Sequence, residues 1–338
     1  MMSKEVRIVL EISLCTDRKR NTLQILDRIC EQAAGGCGGQ ILVAPEQFSH
    51  AAERLLCMRG GDTISRFAEV LSFSRLASRV FSLEGGAADS ETDAGGRLLM
   101  MAMAVEQVRS RLKIFGSSAS RPEFLLRLID TLEEFRSFCV TAPALRHASE
   151  ELSGALAVKM EEFSLLMESY DSVCANCGQN PDTRLNRLLA ALETGSYAEG
   201  KFFYFDGFTD FNGVQREIIA QLLSSGAEIC VNLTCDSLDN PGQQYESARE
   251  TALQLLSMAR AQKAEAKISV LRPPQGPDAL EFLREKLFAG GMQRFVAPQE
   301  AVRLRIAADL HLECRWAAGE ILKRCLCLYN NMCGNHNI

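Results

Sequence analysis

The first stretch that could bind a phosphate lies between an apolar strand and an amphipathic helix, at residues 15–22. A phosphate-binding loop has the pattern G-x-x-x-x-G-K-[ST], in which backbone N–H groups wrap the phosphates, the lysine reaches the terminal ones and the hydroxyl binds Mg²⁺. In this register Cys15 and Arg20 replace the glycines and Asn21 replaces the lysine. Only the hydroxyl of Thr22 is kept. The stretch therefore predicts a degenerate nucleotide-binding loop, and by itself it also fits an ordinary strand–helix turn.

A second stretch, FFYFDGFTDFN, runs from an aromatic strand into an acidic turn. Motor ATPases place an aspartate at such a turn for the Mg²⁺ shell and a neighbouring acid for activating water. The segment resembles the D-E-F-Q-D stretch of UvrD/Rep-type helicases, with Asp206 and Asp210 as the Mg-site-like acids. Gly207 stands where those helicases have the catalytic glutamate. A lone aspartate after a strand is also a common turn or helix cap.

A third stretch, SFSRLASRVF, resembles the segment with which the same helicases contact single-stranded DNA. In that interpretation Ser72 and Arg75 face a phosphate backbone, and Phe73 packs against a base or against the core. The alternative is that Phe73, Leu76 and Val80 form a buried helical stripe, and their spacing favours it for these three residues.

The cysteines and the charge exclude several classes of protein. The chain has 13 cysteines, an odd number without the spacing of a disulfide framework, and a net charge of −6 that offers no basic stripe for DNA. Cys174 and Cys177 form a C-x-x-C pair, but zinc needs a second pair, so free thiols in or beside a helix are favoured. No metal site is predicted. Without a secretory segment or a membrane span, the expected location is the cytoplasm.

The elements that must position these residues alternate between strand and helix. At 338 residues the chain predicts two domains, or one domain with a large insertion. Short apolar runs predict strands that are buried in a parallel sheet. The predicted strands are Val6–Ile12, Gln40–Ala44, the start of Ala68–Phe81, Lys201–Phe205, Ala227–Leu233, Lys267–Leu271 and Val302–Ala308. The first helix is expected at Thr22–Ala34, after a polar turn at Cys15–Asn21.

Between about residues 95 and 192 nothing resembles a strand, and amphipathic helices predict an all-helical block the size of a small domain. The predicted fold is therefore an α/β, parallel-sheet, P-loop NTPase-like domain of the superfamily 1 helicase type, interrupted by an all-helical insertion. The expected boundaries are 1–90 and 199–300 for the α/β domain, 91–198 for the insertion, and 301–338 for the start of a truncated second motor domain.

Four segments together resemble the N-terminal, helicase-like region of the AddB family, one of the components of an ATP-dependent helicase/deoxyribonuclease. They are QILVAPEQ with Phe48, LSFSRLASRVF, FFYFDGFTDF and AADLHLECRWAAGEI, and the resemblance extends to about Arg324. The PEQ-F and FDGF-x-x-F pieces are the most specific. The end of the chain after Arg324 departs from the family pattern, and a truncated or frame-altered gene product is suspected.

The resemblance implies a role in processing double-strand DNA breaks for recombinational repair, beside an AddA-type helicase–nuclease partner and on single- and double-stranded DNA. The full-length family is a hydrolase, but its nuclease domain and iron–sulfur cluster lie outside this chain. Mg-ATP is the one cofactor that the degenerate loop leaves open. Three alternatives remain: a strand-engaging scaffold with a degenerate ATP site, an active NTPase with an unusual loop, and a non-functional remnant.

Overall fold

The structure is a computed structural model that describes residues 10–85, 92–118, 121–239, 243–271, 278–287 and 293–334. The chain divides into two compact units, residues 1–273 and residues 274–338. In the described part of the chain no helix is both long enough and apolar enough to cross a membrane.

The first unit is built on a six-stranded sheet whose neighbouring strands are all parallel. The strands are β1 (Leu10–Leu14), β2 (Gln40–Val43), β3 (Ala68–Leu71), β4 (Phe202–Phe205), β5 (Glu228–Leu233) and β6 (Ala266–Val270). Their order across the sheet is β3-β2-β4-β5-β1-β6. The chain is thus α/β with a helical insertion, as its sequence predicts, and β1 and β4 have one strand, β5, between them.

Helices connect the strands and fill the insertion. They are α1 (Arg18–Ala34), α2 (Glu46–Gly60), α3 (Phe73–Glu84), α4 (Ala94–Val108), α5 (Pro122–Ser137), α6 (Ala142–Glu151), α7 (Gly154–Asn176), α8 (Arg184–Thr194), α9 (Gly213–Ser224) and α10 (Glu246–Ala261) in the first unit. The second unit contains α11 (Asp278–Lys286) and α12 (Leu310–Gly334).

Both faces of the sheet are covered, which explains why its central strands are apolar throughout rather than alternating. On β4, Phe203 and Phe205 belong to the hydrophobic cluster on one face, together with residues of α3, α8, α9 and α10. Tyr204 points the other way and belongs to the cluster formed with α1 and α2. Successive side chains of a strand alternate between the two faces of the sheet. These three aromatic residues of β4 therefore pack into both hydrophobic clusters, one on each face.

The helical insertion has a core of its own. Buried residues of α4, α5, α6 and α7 form one separate cluster, with Met101, Leu132 and Leu166 near its centre. Helix α8 is different, because its buried residues Leu188 and Leu192 belong to the core of the sheet. Four helices therefore form the independent part of the insertion, and α8 returns the chain to the sheet before β4.

Three predicted boundaries are wrong or incomplete. Helix α1 begins at Arg18 rather than Thr22, because the Asp17 side chain accepts a hydrogen bond from the Arg20 N–H and caps the helix one turn earlier. Strand β1 is Leu10–Leu14, and residues 6–9 of the predicted strand lie outside the described residues. Val302–Ala308 was expected to be a strand, but it has no neighbouring strand to pair with among the described residues and is irregular.

Candidate functional site

The hydroxyl of the degenerate loop and the acid after β4 meet at the carboxyl edge of the sheet. Thr22 Oγ1 donates a hydrogen bond to Asp206 Oδ2 at 2.6 Å. Thr22 lies in the first turns of α1, and Asp206 follows β4 directly. In a parallel sheet the carboxyl ends of the strands share one edge, where ligands of open α/β sheets bind. A hydroxyl and a carboxylate in contact are also the protein groups that a motor ATPase uses to hold Mg²⁺.

A third side chain, which the sequence analysis did not identify, joins these two across the strand between them. Asn232 on β5 donates one N–H to Asp206 Oδ1 at 3.1 Å and the other to the backbone oxygen of Asn21 at 2.8 Å. It is 3% exposed. The signal that could have revealed it is a lone amide in an apolar strand, EICVNL, because a buried polar group must find partners.

Asn21, which the sequence aligns with the lysine of a phosphate-binding loop, is buried and directed towards β5. Its Nδ2 donates to the backbone oxygen of Leu233 at 3.1 Å, and the residue is 2% exposed. The amide therefore ties α1 to β5 and supplies no positive charge at the sheet edge.

Burial dominates the electrostatics of Asp206. It raises the pKa of this carboxyl above its ordinary value. Hydrogen bonds from Thr22 and Asn232, the charge of Arg18 and the Gly207 N–H all act in the opposite direction without cancelling the effect. The carboxylate is thus costly to bury in its ionised form, although it is surrounded by donors.

The bend between β1 and α1 is short. Cys15 continues the strand, since its N–H donates to the Leu233 oxygen and its oxygen accepts from the Cys235 N–H, both at 3.2 Å. Its side chain is buried. Only Thr16 and Asp17 then precede α1. The Asp17 carboxylate caps the first turn of the helix, the place where an anion would be bound.

Arg18 lies beside Gly207, the position at which UvrD/Rep-type helicases are expected to have the catalytic glutamate. Its guanidinium carbon is 4.2 Å from the centre of the Phe48 ring, a cation–π contact. A Cβ at Gly207 would lie 3.0 Å from Arg18 Nη2 and 3.3 Å from Pro45 Cδ, and the backbone there has φ +86°. The place of a glutamate side chain is therefore partly filled, and the backbone favours glycine. Arg20, like Arg18, is exposed.

Asp210 lies apart from this network. It is exposed and lines a shallow cavity of about 430 Å³ with Gln215, Arg216 and Glu250 among its other residues. Its Oδ1 accepts a hydrogen bond from Thr209 at 3.4 Å. Of the two predicted acids, only Asp206 is in contact with the hydroxyl of the degenerate loop.

The predicted DNA-contacting residues occupy the start of α3. Ser72 is buried and caps the helix, with its side chain accepting from the Arg75 N–H at 3.3 Å. Phe73 is 6% exposed and packs against Phe205, Phe208 and Phe211, with ring centres 5.6–6.5 Å apart. Phe73, Leu76 and Val80 do form a buried stripe. Arg75 is half-buried, so among the three predicted residues its side chain is the most accessible to a ligand.

The C-x-x-C pair gives no metal centre in the part of the chain that the structure describes. Cys174 is buried in α7 and Cys177 is exposed just after it. Among the described residues no group of three or more His, Cys, Asp or Glu is placed to hold a metal ion.

Comparisons with known proteins identify the family. The family model described as "ADDB, N-terminal" matches residues 19–284. A protein of Desulforudis audaxviator, named as the B-type subunit of an ATP-dependent helicase/deoxyribonuclease, is 29% identical over 321 residues, which are 91% of this chain and 28% of that protein. A protein of the same name from Caldanaerobacter subterraneus is 32% identical over 223 residues, 64% of this chain and 19% of its own length. The matched part of this chain therefore covers 28% and 19% of the length of these two relatives, and the chain belongs to the AddB N-terminal family.

Proposed function

We propose that this chain is the helicase-like, strand-engaging part of the AddB component of a bacterial helicase–nuclease that processes double-strand breaks for recombinational repair, and that it does not hydrolyse ATP. Its partners in this role are an AddA-type protein and DNA, and its compartment is the reducing cytoplasm, to which its free thiols are suited. The support is family membership, since relatives carry the name of a helicase/deoxyribonuclease component.

The observation that carries the second half of the proposal is the bend between β1 and α1. A triphosphate needs several backbone N–H groups and a cation, and the residues present do not fit it. The Asp17 carboxylate would repel phosphates, the Asn21 amide is directed to Leu233, and Gly207 supplies no acid for water activation.

The strand-engaging half rests on α3. Ser72 and Phe73 hold the N-terminus of this helix in place. The Ser72 side chain caps the helix, and the Phe73 ring packs against the Phe208 ring. Arg75 is then the side chain that we assign to the phosphate backbone of a single strand. Guanidinium–phosphate contacts are strong and give no sequence preference by themselves.

Two titrations test the proposal. A labelled oligo(dT) is titrated by fluorescence anisotropy at several salt concentrations, with Arg75→Gln as the variant and Arg79→Gln as its control. Arg79 is on the same helix but is paired with Glu69 at 2.6 Å. Arg75→Gln should weaken binding about tenfold and the control should not, while the affinity of the wild-type chain should fall as salt rises.

The second titration uses Mg-ATP and calorimetry. No saturable binding is expected. Stoichiometric binding would favour the active NTPase instead, and failure of the wild-type chain to bind any single strand would leave only the non-functional remnant.

A further inference from the structure

A basic loop, residues 109–121, connects α4 to α5 in the helical insertion. It carries four basic residues, Arg109, Arg111, Lys113 and Arg121, and no acidic one. The chain as a whole has a net charge of −6, so the charge of this stretch is opposite in sign to that of the whole chain. A local run of positive charge on an acidic protein favours a polyanionic partner.

The backbone of the basic loop is held in place by the core of the insertion. The buried Glu162 carboxylate accepts hydrogen bonds from the consecutive N–H groups of residues 113–115 at 2.5–2.9 Å. Leu112 is 8% exposed and belongs to the hydrophobic cluster of the insertion. The Phe115 ring packs against the Phe163 ring, with centres 4.9 Å apart. The loop is therefore anchored by one acid and by apolar side chains that point inward.

The basic side chains on either side of Leu112 face away from that core. Leu112 has extended backbone angles, φ −86° and ψ 114°, and successive side chains of an extended segment point in opposite directions. Because the Leu112 side chain is buried, those of Arg111 and Lys113 lie on the outer side, and both residues are exposed. Arg121 is exposed as well. Within the described part of the chain none of these three basic side chains forms an ion pair.

The acids that flank or contact the basic loop are already engaged. Glu106 is paired with Arg109 at 2.8 Å. The Glu162 carboxylate is buried and directed to backbone N–H groups. Glu123 lies in the first turn of α5, where the positive end of the helix dipole offsets part of its charge. The charge that the loop presents to solvent is therefore that of its other three basic side chains.

The basic loop suits the phosphate backbone of a duplex better than the bases of a single strand. Single-strand sites stack bases on aromatic rings. The one aromatic residue among residues 109–121, Phe115, is turned inward to Phe163. Residues 116–118 are Gly-Ser-Ser, which are small and offer hydroxyl donors to phosphate oxygens. Phosphate contacts need positive charge and donors, and they need no base readout.

Two helices connect the sheet layer with the basic loop. Helix α5 ends at Phe138, whose backbone lies against Gly213 at the start of α9, and the loop precedes the other end of α5. Helix α4 begins near α3, since Arg97 and Ser74 line the same cavity, and it ends at the loop. The 15 residues of α4 span about 22 Å. This distance is the length of about six base pairs of duplex.

We propose that the basic loop docks on the phosphate backbone of double-stranded DNA, about six base pairs from the single strand that α3 engages. The single-strand half of this arrangement rests on the proposed function, whereas the contact of the loop with a duplex does not depend on α3. Duplex and single strand meet at a broken end that is being processed, so one molecule contacts both sides of that junction.

The test compares two double variants that each remove one arginine and one lysine. Arg111→Gln/Lys113→Gln alters the basic loop, and Arg66→Gln/Lys267→Gln alters exposed residues near the amino ends of β3 and β6. Fluorescence anisotropy uses a labelled, blunt-ended DNA hairpin of about two helical turns. The loop variant should bind it about tenfold more weakly than the control, and its log affinity should fall with log salt less steeply by about 1–2. Thermal melting checks that both variants fold.

Oligo(dT) and polyglutamate are titrated into the same proteins. The loop variant should bind oligo(dT) as the control does, because that strand is assigned to α3. An equal loss of affinity for oligo(dT) and for the hairpin would overturn the loop proposal, and so would equal affinities of the two double variants for the hairpin. A wild-type chain that binds polyglutamate but no duplex would indicate an acidic protein partner and overturn it as well. Loop-dependent duplex binding, with no binding of oligo(dT) by the wild-type chain, would keep the duplex site while the strand-engaging proposal fails.

Discussion

Thr22 and Asp206 are 184 residues apart in the chain, yet the hydroxyl of one donates to the carboxylate of the other at 2.6 Å. Asn232 supports the pair from the intervening strand. Three elements, α1, β4 and β5, are thus held at one point of the sheet edge. The contact joins α1 to β4 with the two kinds of group that a motor ATPase uses to hold Mg²⁺.

Asp206→Asn should be tolerated better at neutral pH than at pH 4. Burial raises the pKa of Asp206, so the stability of the wild-type fold falls as the pH rises through the interval between the unfolded pKa and the folded pKa of this carboxyl. Above the folded pKa this loss is complete, and the neutral amide avoids it. The amide also has one acceptor oxygen in place of two, so a hydrogen bond from Thr22, Asn232 or the Gly207 N–H is lost at every pH.

The change in Tm caused by Asp206→Asn should be less favourable at pH 4, where the Asp206 carboxyl of the folded wild-type chain is closer to its protonated form. Melting curves at both pH values measure this difference, with Asp210→Asn as the control because Asp210 is exposed. A change in Tm that is equal at both pH values would contradict the assigned cause.

Gly207→Ala should destabilise the protein more than Gly226→Ala. Both glycines have positive φ, +86° and +84°, so both variants carry backbone strain. Only at Gly207 would the new Cβ meet other atoms, at 3.0 Å from Arg18 Nη2 and 3.3 Å from Pro45 Cδ. We expect a loss of about 1 kcal/mol at Gly226 and a larger one at Gly207. Urea denaturation measures the free energy of unfolding of both variants. Equal losses would show that the Arg18 side chain moves aside at no cost.

Glu162→Gln should unfold the insertion more easily. The buried Glu162 carboxylate accepts from three consecutive backbone N–H groups, those of Lys113, Ile114 and Phe115, at 2.5–2.9 Å. An amide has one acceptor oxygen and adds two donors, so at least one of these contacts is lost. We expect a cost of about 2 kcal/mol.

Glu161→Gln is the matched control for that variant, since Glu161 is exposed on the same helix and should change stability by less than about 0.5 kcal/mol. Hydrogen exchange at residues 113–115 gives a local readout. Protection that is unchanged in Glu162→Gln would mean that the loop is held by other contacts.

Gly213→Ala should weaken the join between the insertion and the sheet layer. A Cβ at Gly213 would lie 2.7–2.9 Å from the backbone of Phe138, at the end of α5, and backbone atoms cannot move aside as a flexible side chain can. We expect a loss of about 1–3 kcal/mol. Gly319→Ala, in α12, meets nothing within 4 Å and should stabilise its helix by about 0.5–1 kcal/mol. Thermal melting that gave the same sign for both would contradict this interpretation.

Much of the sheet could be predicted because its strands are buried on both faces and appear as short apolar runs. KFFYF and AEICVNL are examples, and β4 and β5 lie within them. The meeting of Thr22 with Asp206 was foreseeable for a topological reason, since both follow parallel strands. The lone amide of EICVNL marks Asn232 as a buried polar group that needs partners, but the local sequence does not say that Asp206 and Asn21 are those partners.

Other features could not be predicted because they depend on competition between local and tertiary contacts. The residues Arg18–Arg20 were assigned to a turn because they are polar, but they form the first turn of α1, which the Asp17 side chain caps. The alternation in VRLRIA favours a strand, yet a strand forms only beside another strand, and residues 302–308 have none to pair with in the described residues. A cavity of about 380 Å³ between α3, α8 and the insertion is lined by residues of several helices, so no local pattern marks it.

The position of β1 has a consequence for synthesis of the protein. Its neighbours are β5 and β6, and Leu10 is paired with Ile229 and Ala266. When the ribosome has made the first strand, more than two hundred residues must still be added before either neighbour exists. At roughly 5–20 residues per second, the nascent apolar segment waits on the order of ten seconds or more. During that interval it is a ready substrate for chaperones.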